Sequence, residues 1–425
     1  MSQIVCMKTK LVFAVVVLMH AHLFASGELD QDFIAHEWGT FTSVQGADGI
    51  QLEWNPLVTS ELPRFVYDRG RPNGNPRLAR YTDYSGKGGF VALQRMETPV
   101  IYFYSGRERN VDVTVKFPQG IVTEWFPQVA KYDSRSMQWD KIHLFPRPQN
   151  AALAKLLPVD ASASHYFAAR ETDSDFIVAK NDAGPKQTSE HEKFLFYRGV
   201  GQFRAPLQVT LNGDEDTVVL KNTGTEPLSH LFVLGVRHGK GKYLYVEQLP
   251  AGGEQSVKLQ LQRGQSDLSD LRPRLAKEMA AGLAREGLFE REASAMVKTW
   301  NDSWFGEEGL RVLYTLPRTW TDRILPLTIS PNPGGLARVM VGRAEIITPT
   351  MEWELMKQLV QYSQSSSDAK EQAVAGARAI GLGRFTEAAI RRLATKIPSR
   401  EFSQTAWNFL EAVGKPAERK LALAK

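Results

Sequence analysis

The chain has 425 residues, with 52 basic against 47 acidic side chains and a single cysteine. At that length two or three domains of roughly 150 residues are expected, each large enough to bury its own core. Charges of both signs are interleaved along the chain, which argues against nucleic acid as a partner, and one cysteine excludes a disulfide framework.

Residues 1–27 read as a secretory signal peptide. Lys8 and Lys10 give a basic start, and residues 11–19 are an unbroken apolar run too short to span a bilayer. Ala25 and Gly27 are the small residues that cleavage after Gly27 requires; cleavage after Ala25 competes. Cys6 lies ahead of the apolar run and leaves with it, so the mature chain is expected to carry no thiol and no transmembrane anchor. Its expected location is the periplasm or the exterior, and its expected partner is an extracytoplasmic ligand or envelope component of unknown identity. No metal and no cofactor are expected.

The expected fold class is α+β and multi-domain: a β-rich, sandwich-like N-terminal part, a mixed α/β middle and a helical C-terminal tail. The first domain is placed at residues 30–160. Residues 33–56 read as a hairpin, with a strand to about Val44, a turn at residues 45–49, then Ile50, Leu52 and Trp54 alternating with Gln51 and Glu53. In the group at 98–126, Val111, Val113, Val115 and Phe117 alternate with polar residues, which predicts antiparallel strands buried on one face. Between these groups residues 68–89 form a long loop rich in Gly, Pro and Arg. A solvated insertion is expected, and the alternative is contact with an anion through residues such as Arg69, Arg71 and Arg77.

Residues 161–265 are expected to form an immunoglobulin-like sandwich segment, because strand runs are separated by turn signals at sandwich spacing. From 266 to 350 a helical pair precedes further strands. Leu271, Leu275, Met279 and Leu283 repeat every four residues, and Phe289, Ala293, Met296, Trp300 and Trp304 form a second stripe. The tail from 351 to 425 is helical, with breaks near 363–368, 381–383 and Pro398, and is similar to a HEAT-like pair.

Four strings carry a resemblance: His36-Glu37-Trp38-Gly39-Thr40-Phe41-Thr42-Ser43, Met96-Glu97-Thr98-Pro99-Val100-Ile101-Tyr102-Phe103-Tyr104, Glu192-Lys193-Phe194-Leu195-Phe196-Tyr197-Arg198-Gly199-Val200-Gly201 and Asp302-Ser303-Trp304-Phe305. On these the chain resembles a family of uncharacterised exported bacterial proteins over about residues 33–349. The resemblance implies export and a shared fold, and it implies no catalytic residue.

Candidate chemistry is sparse. His36 and Glu37 pair an imidazole with a carboxylate, as acid–base and metal sites do, but neighbours in a strand face opposite ways. A structural His36 is therefore expected, with Glu37 tolerant of substitution. Carboxylates beside aromatics, at Glu37-Trp38, Glu53-Trp54, Glu124-Trp125 and around Asp302 and Trp304, invite a glycan hydrolase reading, which needs two carboxylates and an aromatic surface. Glu53 and Glu124 alternate with apolar residues as solvent-side positions do. Weak catalytic candidates are thus His36, Glu37, Glu124 and Asp302, and weak ligand-binding candidates are Trp38, Arg69, Arg71 and Arg77. Arg311, Arg318, Arg323, Arg338 and Arg343 fall in or beside late strands and are expected at the surface. No G-x-S-x-G elbow and no phosphate loop occurs. The leading expectation is a non-catalytic extracytoplasmic binding or envelope-associated protein; the alternative is a secreted hydrolase acting on glycan or another envelope polymer.

Overall fold

A computed structural model describes residues 30–56, 62–69, 91–161, 164–181, 188–213, 215–261, 263–364 and 366–414. The expected signal peptide, most of the arginine-rich loop (Arg71 and Arg77 included) and the last residues of the tail lie outside them.

In chain order the strands begin with β1 (Asp30–Gly46), β2 (Gln51–Leu52), β3 (Tyr67–Asp68), β4 (Gln94–Ser105), β5 (Arg109–Lys116), β6 (Gly120–Phe126), β7 (Lys131–Tyr132) and β8 (Ser136–Phe145). They continue with β9 (Phe176–Asn181), β10 (Thr188–Glu192), β11 (Leu195–Gly201), β12 (Leu207–Leu211), β13 (Thr217–Asn222), β14 (Leu228–Arg237), β15 (Lys240–Leu249) and β16 (Glu254–Lys258). After β17 (Ser266–Asp267) come helices α1 (Leu268–Arg285) and α2 (Glu290–Phe305), then β18 (Gly309–Leu316), α3 (Arg318–Ile324), β19 (Leu327–Ser330) and β20 (Pro333–Ile347). The tail holds α4 (Pro349–Tyr362), α5 (Ser367–Ala379), α6 (Thr386–Lys396) and α7 (Arg400–Gly414). The architecture is mixed α+β, as the sequence predicts.

An eleven-stranded sheet runs β17-β15-β14-β18-β20-β1-β4-β11-β6-β3, with β2 added to β1. A second sheet has the order β10-β9-β8-β5-β19, and β12-β13-β16 form a third. At the centre of the large sheet β1 pairs parallel with β20 and antiparallel with β4. The strands expected to make one sandwich within 161–265 are instead shared among all three sheets. Turn spacing reports where strands stop, while pairing is decided by non-local contacts, so consecutive strands here separate.

The hairpin at the start is present: Val44 pairs with Leu52, the Gly46 N–H donates to the Ile50 carbonyl, and Gly49 takes the positive φ that its turn requires. Strand β5 keeps the expected alternation, with Val111, Val113 and Val115 buried. Strands β4 and β6 do not, because the sheet is covered on both faces; β4 is buried from Gln94 to Phe103. Helix α1 buries Leu271, Leu275, Met279 and Leu283, and α2 buries Trp300 and Trp304, so both stripes are core as their period demands.

A second core joins the helical tail to the end of β1 and β20. Val44, Trp54 and Ile347 pack with Leu355, Leu359, Phe385 and Leu393. Arg392 reinforces this seam through Asp48 at 2.9 Å and through Glu352. The tail is thereby fixed to the sheet, and its short 3-10 turn, Gly383–Phe385, reaches Glu97 on β4 through Arg384.

Candidate anion-binding site

Three strand pairings lose their regular register in one region. The β1–β4 ladder shifts between Trp38 and Thr40, β11–β4 between Phe196 and Gly199, and β11–β6 between Arg198 and Gly199. Bulges re-aim side chains and concentrate beside functional sites. Thr98, in the middle of this disturbance, has φ +50°, a left-handed backbone that a β-branched residue adopts only under constraint. Gly39 permits the arrangement: a Cβ there would lie 2.9 Å from the Pro99 Cα.

The disturbed strands gather charge inside the protein. Arg95 and Glu97 come from β4, Glu124 from β6, Arg198 from β11, His165 from the 3-10 turn His165–Arg170, and Arg384 from the helical tail. Glu97 is the hub. It accepts from Arg384 Nη1 at 2.5 Å, from Arg95 Nε at 3.2 Å and from the Thr42 hydroxyl at 2.9 Å. Arg198 Nη2 donates to His165 Nε2 at 2.8 Å and to the Thr98 hydroxyl at 3.3 Å. Glu124 accepts from the hydroxyl of its neighbour Thr123.

The charge states follow from this geometry. A guanidinium cannot accept, so His165 Nε2 must be the acceptor and the ring is neutral with its proton on Nδ1. Burial and then the Arg198 charge push its pKa down to about 3. Burial pulls Arg95 down to about 10, still a cation at neutral pH. Burial alone would raise Glu97, but Arg384, Arg95 and Arg198 together outweigh it and hold the carboxyl far below its ordinary range. Among the described residues the cluster therefore sets three guanidinium groups against two carboxylates.

The arginines are not saturated. Among the described residues nothing accepts a hydrogen bond from the buried Nε and Nη1 of Arg198 or the buried Nε and Nη2 of Arg384, and Arg198 as a whole is only 3% exposed. An unsatisfied buried donor costs about 1–3 kcal/mol, more when charged, so four such nitrogens in one cluster call for an explanation. Free N–H groups on two arginines suit the oxygens of a carboxylate, phosphate or sulfate.

Of the residues singled out in the sequence, Glu124 alone belongs to this cluster; it is buried, where a solvent-side position was expected. The reason is the cover over both sheet faces. His36 bonds Glu292 through Nδ1 at 2.6 Å and packs against Phe289 and Tyr104. Glu292 also accepts from the Tyr104 hydroxyl at 2.7 Å and from the Phe289 N–H at the start of α2 at 2.9 Å, so this carboxylate ties β1 to the helix. Glu37 points the other way into a buried ion pair, accepting from Arg338 Nε at 2.6 Å and from the Tyr197 hydroxyl. Asp302 lies on the surface, paired with Arg272. Trp38 is wholly enclosed in the core and offers no face to a ligand.

Arg69 directly follows β3, where Asp68 is the register partner of Glu124, and its N–H donates to the Thr123 carbonyl at 2.8 Å. The late arginines depart from expectation: Arg311, Arg338 and Arg343 are buried, not superficial. Arg311 and Arg343 share Glu345 at 3.0 and 2.8 Å, and Arg343 also meets Glu307 at 2.6 Å. Such pairing is what lets a guanidinium enter a core.

Arg95, Arg198 and Arg384 escaped the sequence reading as functional residues. A signal was present, since Glu97 and Arg198 lie within the strings that carry the resemblance and Arg384 directly follows the break at residues 381–383. No spacing rule links positions so far apart.

No family model and no curated protein matches the chain. Among solved structures, the Fcho1 Mu homology domain from Danio rerio with bound Eps15 peptide aligns at 8% identity and a TM-score of 0.30, covering 76% of this chain and all of that one. A likeness at that level carries no argument about this protein.

Proposed function

We propose that this is a non-catalytic extracytoplasmic binding protein that captures an anionic group at the Arg95–Arg198–Arg384 cluster. The supporting observation is the set of four buried guanidinium nitrogens without acceptors in Arg198 and Arg384. Export rests on the basic start and short apolar run at the N-terminus, and mass spectrometry of the exported protein should find a mature chain beginning near Ser26 or Glu28. A form retaining Lys8 would refute the export half of the reading.

Binding is tested by titrating inorganic phosphate, sulfate and succinate while following thermal unfolding and heat. At least one should raise the melting temperature of the wild type in a saturable way, since a ligand bound only to the folded state stabilises it. Arg198→Met should abolish that response. Without anion the same variant should unfold no earlier than the wild type, because replacing a poorly satisfied buried charge by an apolar group of similar length removes a desolvation penalty. Early unfolding of Arg198→Met in every buffer, with no anion response in the wild type, would make the cluster purely structural.

The hydrolase alternative draws on a different observation. Asp175 is buried with one carboxyl oxygen unpartnered, and burial pushes its pKa up to about 7, the range of a general acid. Loss of glycan hydrolysis in Asp175→Asn, with anion binding intact, would favour that reading.

A further inference from the structure

Toward the opposite end of the large sheet from the arginine cluster, residues of β14, β15, β16 and α1 line an open cavity of about 620 Å³. Its wall is polar, with Ser229, Tyr245, Glu247, Gln248, Gln255 and Arg285 in the lining and His230 at its back. The backbone is bent to put His230 there. The residue has φ +52° within a strand, and the β14–β18 ladder shifts register between Ser229 and Phe232. Helix α1 presses directly on the imidazole at Gly282, where a Cβ would stand 3.1 Å from the ring. Backbone strain, a bulge and a required glycine all serve the placing of one side chain.

That side chain is held neutral and oriented. Burial is the main cause of its lowered pKa, outweighing the neighbouring Glu286 carboxylate. Arg285 Nη2 donates to the Tyr245 hydroxyl oxygen at 3.3 Å, which leaves the Tyr245 proton to be donated to His230 Nδ1 at 2.7 Å. The imidazole proton then lies on Nε2, with Glu286 at 3.5 Å. The result is a directional chain from Arg285 through Tyr245 and His230 to Glu286.

We infer that this cavity is a binding site for a neutral polyhydroxylated ligand, a sugar unit. The charge balance selects the class: the lining carries one guanidinium, Arg285, and one carboxylate, Glu247, so neither a strong anion nor a cation gains from entering. Hydroxyl groups both donate and accept, and they match a wall that alternates carboxylate, amide, phenol and guanidinium groups. The site shares no residue with the arginine cluster and stands or falls independently of it.

The test is calorimetric and NMR titration of the full-length mature protein with glucose, N-acetylglucosamine and their linear trimers, with sulfate as an anion control. At least one sugar should bind in the millimolar range or tighter. Tyr245→Phe and Arg285→Gln should each weaken it by about tenfold, whereas Arg198→Met should leave it unchanged. Arg285 is exposed, so its variant keeps the test valid if Tyr245→Phe folds poorly. Absence of binding by all four sugars, binding indifferent to both substitutions, or saturable sulfate binding lost in Arg285→Gln would overturn the inference.

Discussion

His36 and Glu37 stand next to each other and hold different parts of the molecule together, because successive strand side chains leave opposite faces. Glu37 faces Arg338 across the parallel β1–β20 ladder. Glu37→Gln would leave that buried guanidinium to the half-exposed Asp322, 2.7 Å from Nη1, so a loss of about 3–5 kcal/mol is expected in denaturant unfolding. This reverses the sequence expectation that Glu37 tolerates change. His36→Ala should cost less, about 1–3 kcal/mol, because Glu292 keeps two other donors. Equal losses in the two variants would contradict this ordering.

Asp175 gives the protein a pH dependence. In the folded state its carboxyl titrates near 7, against an ordinary value of 3.8. Between those values the native chain holds a proton that the unfolded chain has lost, so this group's contribution is fully present below the ordinary value and is lost as pH rises through 7. Asp175→Asn should therefore raise the melting temperature more at pH 8 than at pH 5. A difference of the opposite sign would show that Asp175 is stabilised as an anion.

At the scale of elements, the helical tail is a part of the arginine cluster as well as a cap on the sheet. Phe385 fills the seam against Trp54 and lies directly after Arg384 in the chain, whose guanidinium is 5.0 Å from the Phe385 ring. Phe385→Ala should cost about 3–5 kcal/mol through the cavity it opens. Hydrogen exchange should report the loss in α4–α7 before it reaches β1 and β20, and the anion response should weaken with it. Uniform acceleration across the sheet would mean that the tail and the sheet unfold as one unit.

Element identity was legible where period and burial coincide. The four-residue repeat of α1 and the alternation of β5 both survive in the fold, since each has one buried face. Strands β4 and β6 differ from the expected one-face burial for the opposite reason: with both faces covered, their polar residues are buried in partnerships, and Glu124 looks like a solvent-side position in a local window.

At the scale of the whole molecule, stability comes from burial and buried ion pairs, with a single cysteine available in the entire chain. If the proposed cleavage removes Cys6, thermal unfolding of the processed monomer should be unchanged by reductant, and a clear shift would contradict the proposed thiol-free chain and the cleavage with it. No helix among the described residues is long and apolar enough to cross a membrane.

By itself the sequence determined the α+β class, the turn positions, the helical stripes and the absence of a disulfide framework, because these depend on residues within a few positions of one another. Only the tertiary structure decided which charges meet. Arg338 reaches Glu37 across 301 residues of chain and Arg384 reaches Glu97 across 287. A guanidinium reads as a surface group until the carboxylate that admits it to the core is known, and that partner is chosen by strand order and by the docking of the helical tail.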